Sequence, residues 1–329
     1  MDIAIAPRTA APTMLVAEVA VAEVVRLSPA FVRVVLAGPA LADVARPGFD
    51  ARCKVIFPGL DGALLPLPAD PEDWYENWLR QPEPGRSPIR TYTIRDVVGE
   101  GSETRVVIDM VVHDDDVDDV DAAGPACRWA RGAAVGDRVQ LVLPHRAAAT
   151  YAGVEFEPLH RRRLLLVGDE TAVPAIARIL ADLPAAFVGR AYLEVPTRDD
   201  VLEVAAPDGV DLVWIVRDRA PHGHRTVQRV RTDLGLPPAS AAETHETHET
   251  HEAPEAPELL WETPTFSASG ALESEPGARS DAPDELYAWI AGESRMVTTL
   301  RRALVAELDV PRSQVAFMGY WRKGVAMRA

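Results

Sequence analysis

The 329-residue chain carries 34 lysines and arginines against 50 aspartates and glutamates, a formal charge of −16 with a pI near 5.0. That balance excludes nucleic acid as a main partner, since phosphate recognition needs a basic footprint, and it disfavours an anionic membrane surface. Hydrophobic content of 47% and charged content of 26% suit a soluble globular protein, and the length suggests two domains with a core each.

No apolar run approaches the roughly 18 residues of a membrane helix. The apolar N-terminal stretch lacks a basic lead and is interrupted by Glu18 and Glu23, so it makes a poor signal peptide. Cys53 and Cys127 have neither metal nor disulfide spacing, which fits a reducing compartment. The sequence therefore reads as a cytoplasmic protein of two domains, 13–158 and 159–329, with no integral membrane segment, and as a monomer.

After a loose tail to Pro12, valine-rich segments at 15–25 and 31–36 and a third at 52–57 predict antiparallel strands. The segment 61–88 is long and proline-rich, with Trp74, Tyr75 and Trp78 clustered inside it. Its aromatics predict an ordered loop with a helical turn near 72–79. Arg90, Thr91, Tyr92, Thr93, Ile94 and Arg95 follow. As a strand, alternation puts Arg90, Tyr92 and Ile94 on one face and Thr91, Thr93 and Arg95 on the other. A tyrosine offers a platform for a ring system, and arginine forks match phosphate geometry. Residues 105–113, ending in His113, and 138–143 are further alternating strands. Together these predict a small antiparallel β-barrel.

Between the last two strands, Asp114, Asp116 and Asp118 fall at positions 1, 3 and 5 of a calcium-binding loop. Asp119 stands where that loop needs glycine and Pro125 where it needs glutamate, so 114–121 reads as a solvated acidic loop. Gly124 and Pro125 then open a short helix whose backbone N–H groups suit an anion.

The register changes at 160–163. Leu164 to Val167 is a continuous apolar run, as in a parallel strand buried on both faces. Gly168, Asp169, Glu170 and Thr171 lead into a helix with Val173, Ile176, Leu180 and Leu183 at helical spacing. Further strands at 187–195, 211–217, 286–291 and 314–318 alternate with helices at 224–234 and 296–308, predicting a parallel α/β sheet. The segment 237–283 interrupts this order. Its composition, with the Thr-His-Glu repeat at 244–252, predicts disorder, and Trp261 and Phe266 form a possible docking patch within it. The three repeat histidines do not share a helix face, so no metal site is assigned.

In this order the motifs resemble the siderophore-interacting proteins, flavin-dependent ferric-siderophore reductases of the ferredoxin-reductase type. The matching runs are 90–95, the strand ending at His113, 124–130, 166–172, 289–293 with 300–302, and 319–324. The resemblance implies an FAD-binding barrel followed by an NAD(P)-binding α/β domain. It implies that Arg90, Tyr92, Thr93 and Arg95 hold FAD, with Arg95 either sharing the phosphate charge or bracing the strand. His113 would lie beside the cofactor, and Gly124, Pro125, Ala126 and Cys127 would wrap its pyrophosphate. Gly168, Asp169, Glu170, Thr171, Gly292 and Glu293 would border NADPH or NADH, with Tyr320 and Trp321 closing over the flavin. The family usually has glycine where Asp114 stands and serine where Cys127 stands, so Cys127 would contribute its backbone alone.

The reaction implied is hydride transfer from NAD(P)H to flavin, then single electrons to Fe(III) in a ferric siderophore, with release of Fe(II). No catalytic acid–base triad is required. Ferric siderophores are often anionic, which makes Lys54, Arg128, Arg322 and Lys323 the candidate substrate cations. A reductase for another acceptor, or a non-catalytic siderophore-binding flavoprotein, would use the same scaffold. Coenzyme choice stays open in the sequence: Arg190 and Arg198 suit a 2′-phosphate, whereas Glu194 suits a free ribose hydroxyl.

Overall fold

The computed structural model describes residues 12–59, 61–83, 85–112, 124–148, 153–239, 261–263, 266–267 and 284–325. Their strands form two seven-stranded sheets.

The first sheet is antiparallel. It contains β1 (Met14–Arg26), β2 (Phe31–Ala37), β3 (Arg52–Ile56), β4 (Ile89–Thr93), β5 (Asp96–Val98), β6 (Arg105–Val111) and β7 (Arg138–Pro144), in the order β4-β3-β7-β1-β2-β6-β5. Period-two alternation drives one face inward: Ala17, Val19 and Val21 of β1 pack with Val34, Leu36, Val55, Ile108 and Leu141. The sheet curls into a half-barrel. Beyond β4, Ile94 N donates to Ala51 O and Arg95 N to Val107 O, carrying the edge strand over to β6.

The register also orders the outer face. Val16, Val142, Lys54 and Thr91 make one row across β1, β7, β3 and β4, and Glu18, Gln140, Ile56 and Ile89 make the next. The proline-rich loop lies over this face with a single helix, α1 (Trp74–Leu79). Trp78 is buried there with Ile56, Ile89 and Val142, and Trp74 packs beside Met14 and Val16. Sequence reasoning places this helical turn correctly because the tryptophans alone supply enough apolar area to cover the sheet.

The second sheet is built on parallel strands β8 (Arg163–Gly168), β9 (Val188–Val195), β10 (Val210–Val216), β13 (Leu286–Glu293) and β14 (Val315–Trp321), ordered β10-β9-β8-β13-β14. Helix α3 (Val173–Asp182) packs on one face with Leu164, Leu166 and Trp289. Helices α4 (His224–Asp233) and α5 (Ser294–Arg302) cover the other with Val167, Ile290 and Phe317. Apolar burial on both faces explains the continuous hydrophobic strands. The expected helix at 296–308 is instead α5 followed by a π-helical turn, Ala303–Glu307.

Composition predicts disorder throughout 237–283, and here the structure differs. Residues Trp261–Thr263 form β11, antiparallel to β14, with β12 (Phe266–Ser267) beyond it, so the sheet is mixed at that edge. The exposed edge of β14 supplies the pairing partner that local composition does not reveal. The Thr-His-Glu repeat and residues 113–123 lie outside the described residues.

The two sheets share an apolar seam. Ala30 and Phe31 of the first pack in the same cluster as Leu164, Val173 and Trp289 of the second. Buried Asp200 accepts from Ser28 Oγ at 2.8 Å and Ala30 N at 2.7 Å, and Arg178 reaches Asp96 at 2.7 Å.

Candidate functional site

On β4, Arg90 and Tyr92 pair with Val55 and Cys53, so both point to the inner side of the sheet, toward α2 (Pro125–Gly132). Tyr92 and Cys127 pack against the same apolar cluster. Burial pushes the Tyr92 phenol up, with Arg90 acting against that shift and the Cys127 and Cys53 thiols adding to it. Burial likewise raises the Cys53 thiol, to about 12, so it is an apolar core group rather than a nucleophile.

Gly124 caps α2 in an extended conformation, and Pro125 occupies the first turn, where its missing N–H costs nothing. Among the described residues no side chain caps this end, and the N–H groups of Ala126 and Cys127 lie in its first turn, where an anion is favoured. A Cβ placed on Gly124 meets nothing within 4 Å. Arg90 is half-buried, donates to Ile89 O at 2.7 Å and meets no carboxylate among the described residues. Burial draws its pKa down, so an anion beside it would be strongly held. Backbone donors at the start of α2 and a desolvated Arg90 guanidinium that meets no carboxylate among the described residues are the donor types a dinucleotide pyrophosphate needs.

Thr93 is buried on the opposite face of β4, paired with Arg52. Arg95 has the bracing role. Its guanidinium lies 3.6 Å from Asp109, whose two oxygens are also gripped by Arg33 at 2.6 and 2.8 Å. His113 lies outside the described residues.

In the second sheet, Gly168 ends β8 and buried Asp169 begins the turn. Its Oδ1 accepts from Thr171 N (2.9 Å) and Oγ1 (2.5 Å), and its Oδ2 accepts from Glu293 N (2.6 Å) and Trp321 Nε1 (2.8 Å). One carboxylate thus gathers three of the sequence-predicted segments at the C-terminal edge of the sheet, where open α/β folds bind their ligands. Burial pushes the Asp169 carboxyl up to about 7, with Glu170 adding to it and the hydrogen bonds opposing it. Gly292 sits at φ +136°, and a Cβ there would stand 2.6 Å from this carboxylate. A Cβ on Gly168 would meet Ala172 Cβ at 2.6 Å. Glu293 caps α5, accepting from Arg295 N and Met296 N.

Glu170 and Glu194 are fully buried, and sequence reasoning missed what holds them. Arg217, at the end of β10, is bidentate to Glu170 (2.7 and 2.9 Å) and reaches Glu194 at 3.2 Å. Gly223 N and Thr226 Oγ1 complete the shell of Glu194 at 2.9 and 2.5 Å. The expectation that Glu194 reads a ribose hydroxyl is therefore corrected: its oxygens are taken by the fold. Arg190 is corrected too, since it lies near the opposite end of β9 and pairs with Asp233 and Asp211. Arg198 is exposed in the turn just beyond β9. Glu170, Glu194 and His222 offer three ligand atoms within 4.8 Å of one another, but Arg217 fills that space as their counter-ion. The His222 ring lies edge-on to Trp321 at 4.8 Å.

Tyr320 stacks with Trp261 of β11 at 6.2 Å and meets the Trp289 edge at 6.4 Å; its buried hydroxyl finds no partner among the described residues. Arg52 lies over the Trp261 ring at 4.4 Å and pairs with Glu155, while Asp50 accepts from Trp289 Nε1 at 3.0 Å. Sequence reasoning gave Asp50 and Arg52 no role, because their partners lie more than 100 residues away. Among the candidate substrate cations, Lys54 is half-buried on the outer face, bonded to Thr91 Oγ1 at 2.7 Å, and burial lowers its pKa. Arg128 is exposed on α2, and Arg322 and Lys323 are exposed after β14. The structure does not bring these last three to Lys54. No helix among the described residues is long and apolar enough to cross a membrane.

The sequence matches the profile of the siderophore-interacting FAD-binding domain at residues 20–148 and that of siderophore-interacting proteins at 161–324. An uncharacterized Mycobacterium tuberculosis protein is 32% identical over 223 residues, 64% of this chain and 72% of its own. Ferric vibriobactin reductase ViuB of Vibrio cholerae is 25% identical over 301 residues, 91% of this chain and 86% of its own. The crystal structure of a siderophore utilization protein from T. fusca superposes with a TM-score of 0.63 at 25% identity, covering 95% of each chain. The flavin-type half-barrel, the nucleotide-type parallel sheet and these matches over both lead to one assignment: the chain belongs to the siderophore-interacting protein family.

Proposed function

We propose that this protein is a cytoplasmic NAD(P)H-dependent reductase of ferric siderophores, with an FAD-binding domain at 13–158 and an NAD(P)H-binding domain at 159–329. The observation that carries the proposal is the inward pairing of Arg90 and Tyr92 on the side of the sheet where Cys127, in the first turn of α2, packs against the same core as Tyr92. The similarity to ferric vibriobactin reductase over 91% of the chain supports the substrate class.

FAD held there would supply the redox chemistry, two-electron reduction by the nicotinamide coupled to one-electron delivery to the ferric chelate. The residues position and shield. Arg90 and the N–H groups of Gly124, Ala126 and Cys127 hold the pyrophosphate, with Pro125 fixing the turn. Tyr92 gives the ring platform, while the Thr93 side chain turns to the other face of β4. Gly168, Thr171, Gly292 and Glu293 border the nicotinamide nucleotide around the Asp169 hub, with Glu170 held beneath them by Arg217. Tyr320 and Trp321 close the site, and the Tyr320 hydroxyl has donor capacity to spare. Lys54, Arg128, Arg322 and Lys323 attract the anionic chelate. Glu194 is engaged by the fold, and exposed Arg198, in the turn just beyond β9, supplies a cation for a 2′-phosphate, which favours NADPH.

The test is anaerobic: purified FAD-loaded protein is reduced with NADH and NADPH in parallel, then mixed with ferric siderophores, and Fe(II) is trapped with a chromogenic chelator. Flavin bleaching without Fe(II) would remove this reading and leave a reductase for another acceptor.

A further inference from the structure

We propose that Trp261, on the short strand β11, is the positioning residue for Tyr320: its indole sets the tilt at which the Tyr320 ring closes over the flavin. This rests on the reductase reading, which puts Tyr320 at the flavin, and adds the residue that holds it there.

Tyr320 needs such support because β13 does not aim it. Along β14, Gly319 pairs with Gly292 and Trp321 with Glu293, so the register slips by one and leaves Tyr320 as the extra residue. A bulge of this kind releases one side chain from the alternation of its strand. Trp321 is fastened by its bond to Asp169, whereas the buried Tyr320 hydroxyl finds no partner among the described residues. The ring is held through its faces and edges instead. Trp289 meets it edge-on at 6.4 Å and is itself fixed by Asp50, and Trp261 stacks on it at 6.2 Å with an interplanar angle of 23°.

The pairing of β11 brings Trp261 to this position. Trp261 lies opposite Met318, two residues before Tyr320, so the two aromatic rings are diagonal neighbours on one face of the ladder. Contacts on both faces lock the strand. Glu262, opposite Phe317 on the other face, binds Arg301 of α5 through both oxygens, at 2.7 and 3.1 Å. Thr263, back on the face of Trp261, hydrogen-bonds the Glu155 carboxylate. Glu155 also holds Arg52 at 2.5 Å, and the Arg52 guanidinium lies over the Trp261 ring at 4.4 Å.

Arg52 belongs to β3, the neighbour of the strand that carries Arg90 and Tyr92. The indole therefore ties Tyr320 of the second sheet to the flavin side of the first. A clamped flat ring restricts the tilt of a tyrosine stacked on it. An aliphatic side chain fills the same space and leaves the tilt unset.

The experiment uses the FAD-loaded protein. Dissociation constants for FAD are measured on dilution, from the fluorescence of released flavin, for wild type, Trp261→Leu, Trp261→Phe, Tyr320→Leu, the double leucine variant and Glu262→Gln. Leucine keeps apolar bulk at each site so that the variants fold. Each single leucine variant should weaken FAD binding about two- to tenfold. The double variant should lose no more than Tyr320→Leu, since Trp261 acts through that ring. Trp261→Phe should restore affinity, and Glu262→Gln, which alters the same strand without touching the ring, should bind as wild type. Unchanged affinity in either single leucine variant, additive losses in the double, or the same loss in Glu262→Gln overturns the positioning role. Coupled losses in a protein that yields no Fe(II) overturn the reductase reading instead.

Discussion

Trp321 Nε1 donates to Asp169 Oδ2 at 2.8 Å, fastening the last strand of the second sheet to the turn after its first. The same oxygen accepts from Glu293 N, so the elements expected around the nicotinamide are held by one buried atom. Trp321→Phe keeps the ring but removes the donor. It should destabilise the protein by about 1–3 kcal/mol, because a buried carboxylate loses a partner. Urea unfolding followed by far-UV circular dichroism measures this; an unchanged midpoint would mean the bond is not coupled to folding.

The raised pKa of Asp169 has a definite pH signature. Its folded value, about 7, lies above an unfolded value of ~3.9, so the native state binds the extra proton between them. The stability from that proton is fully present below pH ~4 and is lost as pH rises to about 7, at a slope approaching ~1.4 kcal/mol per pH unit. Asp50, also raised by burial, acts in the same direction. Unfolding midpoints measured from pH 4 to 8 should therefore fall less steeply in Asp169→Ala than in wild type.

Arg90→Ala and Tyr92→Ala should give folded protein poor in flavin. Losing a charge-assisted contact of ~1.5–3 kcal/mol weakens binding by roughly 10- to 100-fold. The ratio of flavin to protein absorbance after gel filtration, with circular dichroism for folding, checks both; normal occupancy would place the cradle elsewhere.

Glu194 belongs to the fold rather than to the coenzyme. Glu194→Gln leaves Arg217, Thr226 and Gly223 imperfectly matched in a buried setting and should cost about 3–5 kcal/mol. The NADPH-to-NADH ratio of kcat/KM should stay within about twofold of wild type, while Arg198→Glu should lower it by roughly tenfold. A large ratio change in the Gln variant would return Glu194 to the coenzyme.

Gly292→Ala should be among the most damaging small substitutions. It combines a left-handed backbone with a Cβ 2.6 Å from the Asp169 carboxylate, so loss of soluble protein or a fall of more than ~3 kcal/mol is expected. Yield and thermal unfolding beside Gly324→Ala, where a Cβ meets nothing within 4 Å, test whether the clash rather than the φ angle dominates.

The two sheets were legible because each announces itself by period. Val106, Ile108 and Met110 alternate on β6, while Leu164 to Val167 of β8 are apolar without a break. The Gly168 and Gly292 turns were legible as well, and there a Cβ would meet Ala172 and the Asp169 carboxylate at 2.6 Å. Strand β11 was not. Its three residues sit in a stretch of disorder-like composition, and it pairs only because β14 leaves an edge unfilled.

By itself the sequence determined most of the order of strands and helices, the motif that carries Arg90 and Tyr92, and the acidic net charge, because propensity, periodicity and charge are local properties. The tertiary structure decided which charged groups are free. Glu194 and Glu170 share Arg217, Arg95 braces Asp109, and Lys54 donates to Thr91 on the outer face. A charge becomes a binding group or an internal counter-ion according to what the fold places within about 4 Å of it, and those partners come from distant strands.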